Sequence, residues 1–286
     1  MSKREADYNE NNKMVVSNSY VHAIHPYNMS LNAMKLFRLV VTQCRLKDEE
    51  FFEYDFKIID LAEAFHIKSQ NLYRDIKQMC RNMSFSVLYV GDDDDPENDW
   101  EYKPIFSECK YQMKSGKVTI QLNPKVTDLF LKLKSNFTKV PISAVLLMKS
   151  KYAIRLFELL CEKMRNCLPF ADTATEVILT LEEIRKATGT DKKKTYDILT
   201  NLKKRVFYPS IEEIETASEW KIICSDIKNG RTVTGFRLEI WSRAGWEYIE
   251  SCKEQGILPN YGNREYESQV KGQMSIFDYM KGGEGT

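Results

Sequence analysis

The feature that most limits the folds open to this chain is an order of periodicities that occurs twice, offset by roughly 120 residues. Each half opens on a helical pattern. In the first, Ser30 is an N-cap, and Leu31, Met34, Phe37, Val40, Val41 and Cys44 form the apolar stripe. In the second, the helix starts near Ser143 or Lys149 and runs to Arg165. A short alternating strand follows in each half, Phe52–Phe56 and Val177–Leu181. Next comes a short helix, Ile59–Phe65 and Leu181–Thr188. The second of these carries the capping box Thr180-x-x-Glu183 and a stop at Gly189. A tight turn leads to longer helices, Ser69–Met83 and Asp191–Phe207. Each half closes in a hairpin. Ser84–Val90 is expected to pair with a strand near Lys117–Leu122, and Trp220–Lys228 with Thr232–Trp241 across Asn229-Gly230-Arg231. Asn-Gly between alternating strands is a strong hairpin signal. Helix, strand, helix, turn, helix, hairpin is the order of a winged helix, an α+β unit. The expected layout is a flexible polar arm over 1–18, a first winged-helix domain over 19–135 with a joining helix at Asn123–Lys134, a second domain over 136–250, and a tail over 251–286.

Charge and chemistry narrow the function. The formal net charge is +1, so any affinity for nucleic acid must come from locally concentrated basic residues. The seven cysteines are scattered, form no CxxC pair and have no histidine at ligand spacing. That pattern fits a reducing cytoplasm and predicts no metal. The first 18 residues lack an apolar signal region, and no run approaches 18 apolar residues, so neither export nor a membrane span is expected. His22 and His25 have two residues between them, with Pro26 next, which is the wrong spacing for the metal histidines of a rolling-circle nicking enzyme. No GxxxxGK[ST], GxSxG or HExxH motif occurs. The expectation is a non-enzymatic protein with no catalytic residues, no cofactor and no metal.

Two surfaces suit duplex DNA. In the first half, Ala62, His66 and Leu72 fit the helix-turn-helix spacing, and Leu72, Ile76, Met79 and Met83 share the inner face of the following helix. The candidate contacts are Gln70, Asn71, Arg74 and Lys77, with Gln78 and Arg81 beside them, a set of long donors without a carboxylate. In the second half, Tyr196, Leu199, Leu202 and Val206 face inward, while Lys193, Lys194, Thr200, Asn201 and Lys204 are the candidate contacts. From Ile184 to Arg205 there are eight Lys or Arg against two Asp, a local net of +6. Lys192-Lys193-Lys194 stands at the expected helix start, where the macrodipole disfavours cations and a phosphate would relieve the conflict. Lys228 and Arg231 at the hairpin tip form a basic wing. The plain alternative for each face is a solvated surface helix. The connection in the first hairpin holds Asp92, Asp93, Asp94, Asp95, Glu97 and Asp99, so it is expected to point away from a phosphate backbone.

Two segments in order carry a family resemblance. The first is Lys149-Ser150-Lys151-Tyr152-Ala153-Ile154-Arg155-Leu156-Phe157-Glu158-Leu159-Leu160. The second is Tyr196-Asp197-Ile198-Leu199-Thr200-Asn201-Leu202-Lys203-Lys204-Arg205-Val206, followed by Pro209, Ile211, Glu213 and Ile214. Together they resemble the replication initiators of theta-type, repeat-controlled bacterial plasmids, a likeness that covers roughly Val15 to Arg243. The resemblance implies two winged helices in tandem. The second would be the main reader of the repeats, and the first would add DNA contacts or a dimer interface. It further implies that monomers open the origin and recruit a host helicase or initiator, while dimers repress. The main rival is a winged-helix transcriptional regulator without an origin-melting role; a protein-interaction scaffold is a third reading.

The tail carries Gln273-Met274-Ser275-Ile276-Phe277, which resembles the short peptide that docks bacterial replication proteins on the polymerase sliding clamp. Met274, Ile276 and Phe277 would fill an apolar groove and the Gln273 amide would hydrogen-bond. The alternative is a tail that folds onto its own domain. The partners expected are therefore duplex DNA at origin repeats, a second copy of the chain, the clamp and a host helicase or initiator.

Overall fold

Polar caps fix where the long helices begin. The Ser30 hydroxyl accepts from the Ala33 N–H at 3.2 Å, and the Ser150 hydroxyl accepts from the Tyr152 N–H at 3.1 Å. The computed structural model describes residues 3–9, 12–25, 29–45, 47–65, 67, 71–91, 100–164 and 173–256. Its strands are β1 (Lys3–Glu5), β2 (Lys13–Ser17), β3 (Glu53–Lys57), β4 (Val87–Gly91), β5 (Trp100–Pro104), β6 (Phe106–Gln112), β7 (Lys117–Leu122), β8 (Phe137–Pro141), β9 (Thr175–Thr180), β10 (Trp220–Asn229) and β11 (Thr232–Ser242). Its helices are α1 (Asn18–His22), α2 (Leu31–Thr42), α3 (Ile58–Ala64), α4 (Leu72–Ser84), α5 (Thr127–Phe130), α6 (Ile142–Leu147), α7 (Lys151–Lys163), α8 (Leu181–Thr188), α9 (Leu199–Leu202), α10 (Tyr208–Ala217) and α11 (Arg243–Glu254).

Each half is a winged helix: α2, β3, α3, α4 and strands in the first, and α7, β9, α8, α9 and the β10–β11 hairpin in the second. The first half holds a sheet of order β1-β3-β7-β6, and the second a sheet of order β10-β11-β9. Asn229-Gly230 makes the expected turn, with Gly230 at φ +60, a conformation that costs glycine little. Gly235 is required for a different reason: a Cβ there would lie 2.4 Å from the Leu179 carbonyl oxygen of the neighbouring strand.

Several expectations need correction. The polar arm over 1–18 is paired: β1 runs parallel to β3, and β2 runs antiparallel to β8. Met14 and Val16 alternate into the core and are fully buried, and Arg4 holds Asp48 through two bonds of 2.7 and 3.1 Å. The first hairpin joins β4 to β5, not to the strand at 117–122, which lies between β3 and β6. The joining helix shrinks to a 3-10 turn, Pro124–Val126, and the single turn of α5. The helix expected from Ser143 or Lys149 is two helices, α6 and α7, because Ser150 takes extended backbone angles as a cap.

The two halves share one core, and charged groups sit at its centre. Arg38 on α2 and Glu158 on α7 are both 0% exposed and meet at 2.9 Å. Arg38 also donates to the other Glu158 oxygen at 3.2 Å and to the Met34 carbonyl at 3.1 Å. Arg155, one turn before Glu158, donates to it at 2.6 Å. The rest of the Arg155 guanidinium donates to the carbonyls of Val21, Ala23 and Ala187 at 2.6, 3.3 and 3.1 Å. Tyr20 donates its hydroxyl to Glu158 at 3.4 Å. One carboxylate thus joins α1, α2, α7 and the end of α8. A buried charge is tolerable only when paired and fully hydrogen-bonded, and this one is.

His25 closes the network. Arginine can only donate, so His25 Nδ1 accepts from Arg38 at 3.5 Å and its Nε2–H donates to the Tyr20 carbonyl at 3.1 Å. Burial, and then the charges of Arg155 and Arg38, hold its pKa well below 6.5.

Two outcomes are expected. Glu158→Gln leaves two buried guanidiniums without their charge, so urea unfolding should show a loss of about 3–5 kcal/mol; a loss below about 1 kcal/mol would contradict the network's role. His25 is neutral in the folded chain, and the unfolded chain takes up its proton first. Stability should be complete above pH 6.5 and fall as pH drops below it, by up to about 1.4 kcal/mol per unit. His25→Gln should flatten that part of the pH profile, and an unchanged slope would refute the assignment.

Candidate nucleic-acid interface

The second recognition segment is built from its flanks. Helix α8 starts on the Thr180–Glu183 capping box and stops at Gly189, at φ +64. Thr190, fully buried, bonds the Thr188 hydroxyl at 3.0 Å. The chain then makes a 3-10 turn, Lys194–Tyr196, rather than the expected start of a helix. Arg185 braces that turn from α8 by donating to the Tyr196 carbonyl at 3.4 Å, and the Asn201 amide donates to the Thr195 carbonyl at 3.0 Å. The α-helix begins only at Leu199. Lys192-Lys193-Lys194 therefore does not sit on a helix N-terminus, and the expected conflict with the macrodipole is absent. These lysines are exposed on the turn before the helix.

From Leu199 the chain runs through α9, a π-helical turn Lys203–Phe207 and α10, past the expected end at Phe207. Pro209 falls in the first turn of α10, where its missing N–H costs least. Leu202, Val206, Phe207, Ile211 and Ile214 are buried. Phe207 stacks on Phe236 of β11 with centroids 4.0 Å apart. Lys203 turns inward as well: it bonds both Asp226 oxygens at 2.7 Å and lies 5.2 Å over the Phe236 ring. This pair ties the segment to the wing.

The exposed side holds Lys193, Lys194, Asp197, Thr200, Lys204 and Arg205, with Asn201 half-buried. Lys228 and Arg231 are exposed at the wing tip. The structure adds two cations, exposed Lys149 and Lys151 at the start of α7. Burial, and then the charge of Lys193, lowers the Lys151 pKa, and the Lys151 ammonium donates to the Met29 carbonyl at 3.2 Å. Lys193 also donates to the Tyr152 hydroxyl at 3.3 Å and lies 5.5 Å over its ring. In the sequence this stretch served as a helix start and as the first segment of the family resemblance, not as a contact; the Lys-x-Lys ahead of Tyr152 was the missed signal.

The first recognition helix, α4, buries Ile76, Met79, Cys80 and Met83. Asn71, Arg74, Lys77, Gln78 and Arg81 are exposed. The face does carry a carboxylate: Asp75 meets Arg74 at 3.4 Å. Gln78 bonds Asn82 at 3.0 Å. Gln70, His66, the acidic run 92–99 and the tail residues Gln273, Met274, Ile276 and Phe277 lie outside the described residues. Among the described residues no His, Cys, Asp and Glu group could hold a metal, and no helix is long and apolar enough to cross a membrane.

Two winged helices that share a core, with basic side chains on the second recognition segment and its wing, define a tandem winged-helix protein of the DNA-binding class. The family model of the first winged-helix domain of initiator replication proteins matches residues 13–161, and that of the second matches residues 180–240. The chain belongs to this family of replication initiators. Among solved structures it is similar to the Pi initiator protein in complex with iteron DNA, with a TM-score of 0.65 and 17% identity over 82% of this chain and 98% of that one. Domains 2 and 3 of RctB match with a TM-score of 0.41 and 10% identity, over 74% of this chain and 82% of that one.

The geometry separates two kinds of lysine. Lys193→Ala and Lys204→Ala should each reduce the slope of log affinity against log salt by about one, the mark of a lost phosphate contact. Lys203→Ala should lower the thermal midpoint and leave that slope unchanged, since its charge is spent on Asp226. A slope change for Lys203→Ala equal to that for Lys204→Ala would contradict the division.

Proposed function

We propose that this chain initiates plasmid replication by binding repeated duplex sites at an origin. The observation that carries the reading is the exposed basic surface of Lys193, Lys194, Thr200, Lys204, Lys228 and Arg231 in a chain of the initiator family. The Pi initiator, whose fold this chain shares, was solved on iteron DNA, which supports repeats as the ligand class. The second unit is the main reader. Asn201 contributes its remaining amide proton and its oxygen to a base edge while it braces the Thr195 turn. The first unit adds phosphate contacts through Asn71, Arg74 and Lys77, together with Gln70.

No covalent step is needed. Binding free energy from phosphate and groove contacts bends the duplex and promotes opening of an adjacent AT-rich segment. Dimers of the chain repress, and monomers recruit a host helicase or initiator. The peptide at Gln273, Met274, Ile276 and Phe277 docks on the sliding clamp, a partner for which a simple repressor has no evident use.

The test is a titration of the full chain against duplexes carrying any direct repeats found beside its gene and against random duplex of equal length, at two salt concentrations. Repeat-selective binding by a factor of about 10³ or more is expected, and equal weak binding on both duplexes would sink the reading. Deletion of residues 273–277 should abolish clamp binding and leave the DNA titration unchanged; retained clamp binding would end the docking assignment.

A further inference from the structure

Ile198 breaks two local rules at once. Its carbonyl already accepts from the Asn201 and Leu202 N–H groups, at 3.0 and 3.2 Å, so it is the N-cap of α9. N-caps favour Ser, Thr, Asp and Asn, whose side-chain oxygens accept an orphan helix N–H. Isoleucine offers none, and no side-chain cap bond forms here. Its side chain is also 59% exposed, although Leu202 and Val206 on the same rod are fully buried. Among residues 181–207 it is the one exposed large apolar side chain. Burial cannot account for it, and neither can capping. Ile178 and Ile223 are exposed too, but on strands; among the described residues Ile198 alone combines exposure with an unfavourable N-cap, and such uncompensated breaks of local rules are where functional positions are expected.

Its surroundings say what it meets. Lys193, Lys194, Thr200, Lys204 and Arg205 are exposed near it in the chain against one exposed carboxylate, Asp197, a net positive surface suited to a polyanion and not to an apolar groove on a protein. It stands at the N-terminal end of the recognition helix, the end whose residues reach base edges in the major groove. The apolar group presented there is the C5-methyl of thymine.

We infer that Ile198 packs against a thymine methyl group in the bound site and is a specificity-determining residue. The inference rests on the second unit being the duplex reader proposed above. It assigns sequence selection partly to an apolar contact with a base, beside the charged and amide contacts of the lysines and Asn201.

The experiment uses the full chain and the duplex it selects from a randomised pool. Each thymine of that duplex is replaced in turn by deoxyuridine, which removes the methyl and nothing else. Wild type should lose about fourfold in affinity at one position, the worth of one buried methyl. Ile198→Ser should bind the unmodified duplex more weakly and lose its sensitivity at that position alone. Serine is the better cap, so the variant's thermal midpoint should equal or exceed that of wild type, which excludes misfolding as the cause. Wild type that selects a sequence yet tolerates every deoxyuridine overturns the inference. So does an Ile198→Ser variant as sensitive as wild type. Failure of wild type to select any sequence would instead remove the DNA-reading role on which the inference rests.

Discussion

The buried carboxylate of Glu158 is the constraint on which the rest depends. Two guanidiniums and a phenol converge on it, and through them it fixes α1, α2 and α7 and reaches the end of α8. Such a cluster need not add net stability over an apolar core, because desolvating its charges is expensive. Its effect is on geometry. An apolar interface between the halves could slide, whereas the fork of Arg155, with separate bonds to Val21, Ala23 and Ala187, accepts few arrangements. His25 stays neutral at the edge of this cluster because burial disfavours its charged form and both arginines would repel a third positive charge.

This gives the family signature a physical meaning. Arg155 and Glu158 belong to the first signature segment and Glu213 to the second, and none of them faces a ligand surface. Glu213 on α10 accepts from the Lys149 and Ser150 backbone N–H groups, capping the start of α7 from outside. The two segments are thus joined to each other. They tie the recognition rod to the shared core, while the exposed residues at and just before the second segment are those proposed to meet DNA. The Lys203–Asp226 pair extends the same fixation to the wing.

What was legible in the sequence was local. The Ser30 cap, the Thr180–Glu183 box, the Gly189 stop and the Asn229-Gly230 turn depend on neighbours within a few residues, and each forms as expected. What was illegible depends on distant partners. The strands at 3–5 and 13–17 find their partners at 53–55 and 137–141. The polar composition near the N-terminus gives no hint of them. Lys203 counted toward the local net charge of +6 although its charge is taken up by a partner 23 residues on, in the wing. The second recognition helix read as regular from Asp191 because hydrophobic spacing survives a π turn and does not reveal the brace from Arg185. Ile198 was visible as a letter in the signature, but its exposure could be known only once α9 was seen to start at Leu199.

The division between a charged internal frame and an exposed reading surface can be tested by amide hydrogen exchange on the full chain, alone and bound to its repeat duplex. Added protection on binding should concentrate at residues 192–208 and 228–232. The amides around the buried Arg155 and Glu158 should exchange only by global unfolding and gain no more than the binding free energy adds to the whole core. Added protection confined to α4, or spread evenly with none at 192–208, would contradict the assignment of the second unit as the reader.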